Sequence, residues 1–182
     1  MQRLFVVLAL CVFGTSALAQ QASSAAGAAP LASKTSYDLV KGYITRAAEQ
    51  MPEADYAFAP TPEVRTFGRL IGHIANANYA LCANALGERS PSAENIEQQR
   101  TTKSALIEAL GASFTYCDRA YAQTEREAAM PAQNFFTGAS ATRGTWLAFN
   151  AAHDFEHYGN IVTYMRLKGM VPPSSQPPGG NE

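Results

Sequence analysis

Four stretches of the chain repeat apolar residues at three- and four-residue steps, the period of a helix with one buried face. The first runs from Ser36 to Met51, where Tyr37, Val40, Ile44, Ala47 and Met51 form one stripe and Pro52 ends it. The second is expected to open at Thr61-Pro62-Glu63: a capping hydroxyl, a proline at the first helical position, and a carboxylate at the positive helix end. Its stripe is Leu70, Ile74, Ala77 and Leu81, and Gly87 closes it. The third starts at Thr101-Thr102 and reaches Gln123 through Leu106, Leu110, Phe114 (or Ser113), Cys117 and Tyr121. The fourth follows a cap among Ser140 and Thr142 and runs to Lys168, with Gly169 just beyond. Strand signals are weak, with no long alternating run and no Asn-Gly or Asp-Gly hairpin. Four amphipathic helices bury four stripes most simply as an all-α four-helix bundle.

The segment from Gly87 to Arg100 is polar and long for a simple antiparallel turn. Extended at roughly 3.3 Å per residue, it can cross the whole bundle and leave the second and third helices parallel. The expected order is therefore up-down-down-up, with a long crossover between helices 2 and 3. Cys82 and Cys117 each lie about sixteen residues into their helices, so at 1.5 Å per residue parallel helices bring them level. A disulfide between them is open only to that topology. The alternative is two buried free thiols.

The ends of the chain break the pattern. Met1-Gln2-Arg3, the apolar run Leu4 to Phe13 and the small-x-small site Ala17-Leu18-Ala19 have the layout of a signal peptide over residues 1–19. The run is shorter than the roughly 20 residues that span a bilayer. The mature chain is thus expected to be periplasmic or secreted, without membrane insertion, and its two cysteines to meet an oxidising compartment. Residues 20–35, rich in Ala, Ser and Gly, read as a flexible linker, 36–171 as the bundle, and 172–182 as a disordered Pro- and Gly-rich tail. A length of 182 residues fits one such domain, and a net charge of -1 with no basic run excludes a nucleic-acid partner.

Chemistry concentrates in the three histidines of the chain. His153 and His157 are four positions apart in the fourth helix, so they share a face one turn apart. That face also carries Trp146, Asn150, Ile161 and Tyr164, residues that favour burial. Two adjacent buried imidazoles are costly without a partner, and a shared cation removes that cost. His73 sits among Leu70, Ile71, Ile74 and Ala77 in the second helix, on the core or its edge; a lone histidine there is ordinarily a hydrogen-bonded core residue.

Two stretches, YAFAPTPEVRTFGRLIGHIANANYALC at Tyr56 to Cys82 and FNAAHDFEHYGNIVTYMRLKGMVPP at Phe149 to Pro173, resemble the two signature regions of the DinB superfamily. The resemblance spans roughly Ser36 to Pro173 and is carried by one histidine in the second helix and a His-x-x-x-His in the fourth. It implies an up-down-down-up bundle in which His73, His153 and His157 bind one divalent metal ion: zinc, nickel, iron or manganese. It also implies thiol S-transferase or metal-dependent hydrolase activity, and a homodimer. The chain departs from the family at His157-Tyr158-Gly159-Asn160, where many members read His-His-Arg-Gly-Gln.

Three neutral imidazoles leave coordination positions open, the arrangement of catalytic rather than closed metal sites. Asp154 and Glu156 flank the histidine face and are the candidate bases; Asn150 and Asn160 lie nearer to it and are candidates to orient the rings. Tyr158 and Arg143 are candidate contacts for a small-molecule substrate whose identity the sequence leaves open. The competing expectation is a non-catalytic bundle that binds a metal or ligand without turnover.

Overall fold

Three of the four long helices start at a threonine. Thr66, Thr102 and Thr142 each turn the side-chain oxygen back to accept a hydrogen bond from a backbone N–H three residues on, at 3.2, 3.3 and 3.2 Å. The structure, a computed structural model, describes residues 16–134 and 138–177, with side chains from Ser33 onward. Its long helices are α1 (Ser16–Gln50), α2 (Phe67–Leu86), α4 (Lys103–Tyr121) and α6 (Arg143–Leu167). Between them lie the short helices α3 (Ile96–Gln99) and α5 (Glu125–Ala128) and a small hairpin of β1 (Pro131–Gln133) and β2 (Ser140–Thr142).

Side-chain pairs fix the directions. Asn78 meets Ser113 and Cys82 is bonded to Cys117, so α2 and α4 run parallel. Tyr37 reaches Asp118 while Lys103 donates to the carbonyls of Glu49 and Met51, so α1 and α4 are antiparallel. His73 faces His157 while Tyr164 donates to the Arg65 carbonyl, so α2 and α6 are antiparallel. The result is an all-α bundle in up-down-down-up order, as expected. Tyr37, Val40, Ile44 and Ala47 of α1 and Met51 just past its end are fully buried, as are Ile71 and Ile74 of α2 and Ile161 of α6.

The crossover is held against α2 by a missing side chain. A Cβ on Gly72 would lie 2.7 Å from the Cα of Glu97, closer than real Cβ contacts come. Glycine therefore lets the backbone of α3 rest directly on the second helix. Asn76 adds a bond, its Oδ1 accepting from the Ile96 N–H at 3.0 Å. Parallel helices also bring the cysteines level, with Cα atoms 5.3 Å apart, and the disulfide joins α2 to α4 in the core.

Four features differ from the sequence pattern. α1 reaches back through residues 20–35, expected as a flexible linker, to Ser16. Their alanines favour helix, and the lack of an apolar period means only that no face demands burial. The second helix starts at Phe67 rather than Thr61, because Thr66 takes the cap and Thr61–Val64 forms a turn. The tail is ordered as far as it is described: Pro173 is buried, and the Ser174 N–H donates to the Tyr158 hydroxyl at 2.8 Å. Finally, β1 and β2 are absent from the sequence expectation, being three residues each and too short to show alternation. Residues 1–15 of the expected signal peptide and 178–182 of the tail lie outside the described residues. Among the described residues, no helix is long and apolar enough to cross a membrane.

Candidate metal centre

Antiparallel packing of α2 against α6 puts His73 opposite the turn that carries His153 and His157. Ring centroids are 5.4 Å apart for His73 and His153, 4.8 Å for His73 and His157, and 4.3 Å for His153 and His157. One nitrogen from each ring lies within 4.8 Å of the others. The Nε2 atoms of His153 and His157 face each other at 3.0 Å. Metal–nitrogen bonds of about 2.1 Å set two adjacent ligands roughly 3.0–3.4 Å apart, so this spacing suits a shared ion. The donor set, three imidazoles, suits a divalent transition metal.

His73 and His157 are set up as neutral donors. Burial, reinforced by the other two histidines and by Arg65, pushes His157 down to about 3. Burial lowers His73 too, with Arg65 and His153 acting in the same sense. Both are therefore unprotonated near neutral pH, as a metal ligand must be.

Behind two of the rings stand carboxylates. Glu97 Oε2 lies 3.2 Å from His73 Nδ1. Glu97 Oε1 accepts from Arg65 Nε and Arg69 Nη2, both at 3.1 Å. Burial pushes the Glu97 carboxyl up, but bonds and charge from Arg65 and His73 outweigh it and leave it below the usual carboxylate range. Asp154 Oδ1 lies 4.0 Å from His153 Nδ1, too far for a hydrogen bond, and that buried nitrogen has no partner among the described residues.

Asp154, a candidate base from its place beside the histidine face, is fully buried. Desolvation pushes it up to about 6 against the opposing pull of His153. Its neighbour is the Asn78 amide, which donates to both carboxylate oxygens at 3.2 Å when its nitrogen is turned toward them. Glu156 is exposed, and no bond joins it to the histidines among the described residues. Asn150 also turns away from the rings: its Oδ1 accepts from the Tyr121 hydroxyl at 3.0 Å, and its amide faces that of Asn78 at 2.8 Å. Asn160 does approach, with Nδ2 3.5 Å from His157 Nδ1. Tyr158 stacks on Tyr43, and Arg143 lies against Gly87 at the far end of α2, so neither sits at the centre.

One side of the centre opens on a cleft of about 640 Å³. His157, Arg65, Arg69, Glu97, Asn160 and Tyr164 contribute to its wall. Glu97, Arg65 and Arg69 were missed by sequence reasoning. Glu97 reaches the site from the crossover, Arg65 from the residues before the α2 cap and Arg69 from the exposed side of the first turn of α2, and an apolar stripe marks none of these.

The fold and site together define a helical bundle with a parallel crossover, in which three histidines that could hold an ion converge between the second and last long helices. The chain belongs to the DinB superfamily, whose model matches residues 37–161. A DinB-like protein from Bacillus cereus is 15% identical with a TM-score of 0.65, covering 78% of this chain and 93% of its own. A DinB family member from Exiguobacterium sibiricum is 19% identical with a TM-score of 0.60, covering 78% and 92%. A mycothiol-dependent maleylpyruvate isomerase is 18% identical with a TM-score of 0.60; the likeness covers 72% of this chain and 60% of the isomerase. At these identities the likeness is one of fold. The comparison with curated proteins finds no match.

Proposed function

We propose that His73, His153 and His157 hold one divalent metal ion and that the chain is a metal-dependent enzyme acting on a small anionic substrate. The observation that carries this reading is the convergence of three imidazole nitrogens within 4.8 Å on the wall of a cleft. Such an ion, when bound, supplies Lewis-acid activation of a water or thiol nucleophile. The protein's own groups do the rest. His73 and His157 keep their lone pairs free because burial in the site holds them neutral. Arg65 and Arg69 share one Glu97 oxygen and line the cleft, where their remaining guanidinium N–H groups can donate to and orient a small anion, beside Glu63 and Glu97, which balance their charge.

Two chemistries fit: hydrolysis and thiol transfer. Thiol transfer gains support because neither Asp154 nor Glu156 reaches the centre as a base for water, and because one fold relative is a mycothiol-dependent isomerase. The same lack of a placed base supports a second reading, a metal-binding bundle without turnover. We further propose that the chain is exported, supported by its signal-like first residues and the Cys82–Cys117 disulfide.

Metal analysis of the purified chain, with His73→Ala, His153→Ala and His157→Ala beside it, tests the centre. About one ion per chain is expected in wild type and loss in each variant; equal loading throughout overturns the proposal. Turnover of an anionic electrophile with and without added thiol, and of simple esters, then separates transferase, hydrolase and non-catalytic binder.

A further inference from the structure

Glu97 belongs to the crossover, 24 residues from His73 in sequence, and yet its two oxygens divide between the metal-site face and the cleft. Oε2 takes the Nδ1 side of the His73 ring, and Oε1 is held by Arg65 and Arg69. The side chain is 12% exposed, and the backbone beneath it is seated on Gly72, the residue next to His73. With Nδ1 engaged, Nε2 is the nitrogen of His73 left to meet a cation. A carboxylate in that position fixes the ring's tautomer and rotation and raises its basicity.

We propose that Glu97 is a positioning residue for the metal centre: it holds His73 in its ligating tautomer and orientation, and the crossover exists in this bundle partly to deliver it. This rests on the three-histidine reading above. The arginines keep the carboxylate aimed, since a lone glutamate has several rotamers and two guanidiniums on one oxygen leave few. Glu97 touches no reacting atom in this arrangement; it acts through His73.

The test is zinc affinity of the full chain, measured by competition with a chromophoric chelator, together with the cobalt(II) absorption spectrum. Glu97→Gln keeps the size of the side chain but removes its charge. It is expected to bind zinc at one ion per chain about 10–100-fold more weakly than wild type, with an altered cobalt spectrum. Gly72→Ala, whose Cβ would push the Glu97 backbone away, is expected to weaken zinc in the same direction and serves if Glu97→Gln does not fold. Glu94→Gln is the control. Glu94 pairs with Arg100 in the same crossover but makes no bond to His73, so its zinc affinity should stay within about twofold of wild type. Equal zinc affinity in wild type and Glu97→Gln overturns the proposal with the metal site intact. An equal loss in Glu94→Gln also overturns it, since general loosening of the crossover would then suffice. If wild type itself takes up no zinc or cobalt, the three-histidine reading is what has failed.

Discussion

His157 is 7% exposed and held far below the usual imidazole range, and this has a signed consequence for the metal-free protein. Above about pH 6.5 the ring is neutral whether the chain is folded or not, and it contributes no pH dependence. Below that value the unfolded chain takes up a proton that the folded site refuses until about pH 3. Folded stability therefore falls as pH drops through this window, by at most about 1.4 kcal/mol per pH unit. Asp154 acts oppositely: raised to about 6, it protonates first in the folded state and gains stability as pH falls below that. Comparing urea midpoints of metal-free wild type and His157→Gln isolates the histidine. The variant should gain on wild type by on the order of 1–2 kcal/mol between pH 7 and pH 4.5. A difference that stays flat with pH would mean that His157 titrates normally in the folded protein.

The same residues mark how far sequence reaches. Four-residue spacing is enough to place His153 and His157 on one face, since a helix fixes that relation locally. Glu97 and Arg65 belong to a different case. Their meeting at His73 depends on where a polar crossover lands, and no local rule encodes that. Asp154 shows the same limit: the helical wheel places its carboxylate beside the histidine face, but its burial against Asn78, on another helix, is set by packing alone.

At the level of elements, stripes and terminal signals identified all four long helices, and all their boundaries but the starts of α1 and α2 fall within two or three residues of expectation. The start of the second helix differs because Thr61-Pro62-Glu63 and Thr66 offer competing caps, and only the latter leads into the buried stripe of α2. Helix ends also carry energy that can be tested. Gly87 ends α2 at φ 72°, and a Cβ there would meet Arg143 Nη2 at 2.8 Å. Gly87→Ala is expected to lose about 1–2 kcal/mol, from the left-handed backbone penalty and displacement of the arginine. Chemical denaturation reads this directly. A stability within a few tenths of a kcal/mol of wild type would show that the end of α2 relaxes freely.

For the whole molecule, the decisive choice is that α2 and α4 run parallel. It forces a crossover, and the crossover supplies both Glu97 and the level cysteines. Closing the loop between Cys82 and Cys117, a separation of 35 residues, should contribute about 2–4 kcal/mol by restricting the unfolded chain. The double variant Cys82→Ala/Cys117→Ala should melt several degrees lower than oxidised wild type, at roughly 2–4 °C per kcal/mol for a chain of this size. An unchanged melting temperature would mean that the bond contributes nothing to the native protein.

The docked carboxy-terminal segment has a practical corollary. Gln176 pairs with Gln50, so the last described residues leave the bundle at the end where α1 finishes and α6 is near its close. The cleft opens beside that same end, against Tyr164 and Thr163. A purification tag of six histidines fused after Glu182 would begin within a few residues of Pro177, and each tag residue adds at most roughly 3.3 Å of reach. Its imidazoles would then be presented to the native ligands at high local concentration and would compete for any ion. Metal counts from such a fusion would overstate the protein's own capacity, whereas a tag at the other terminus, or its removal, would report the three native rings alone.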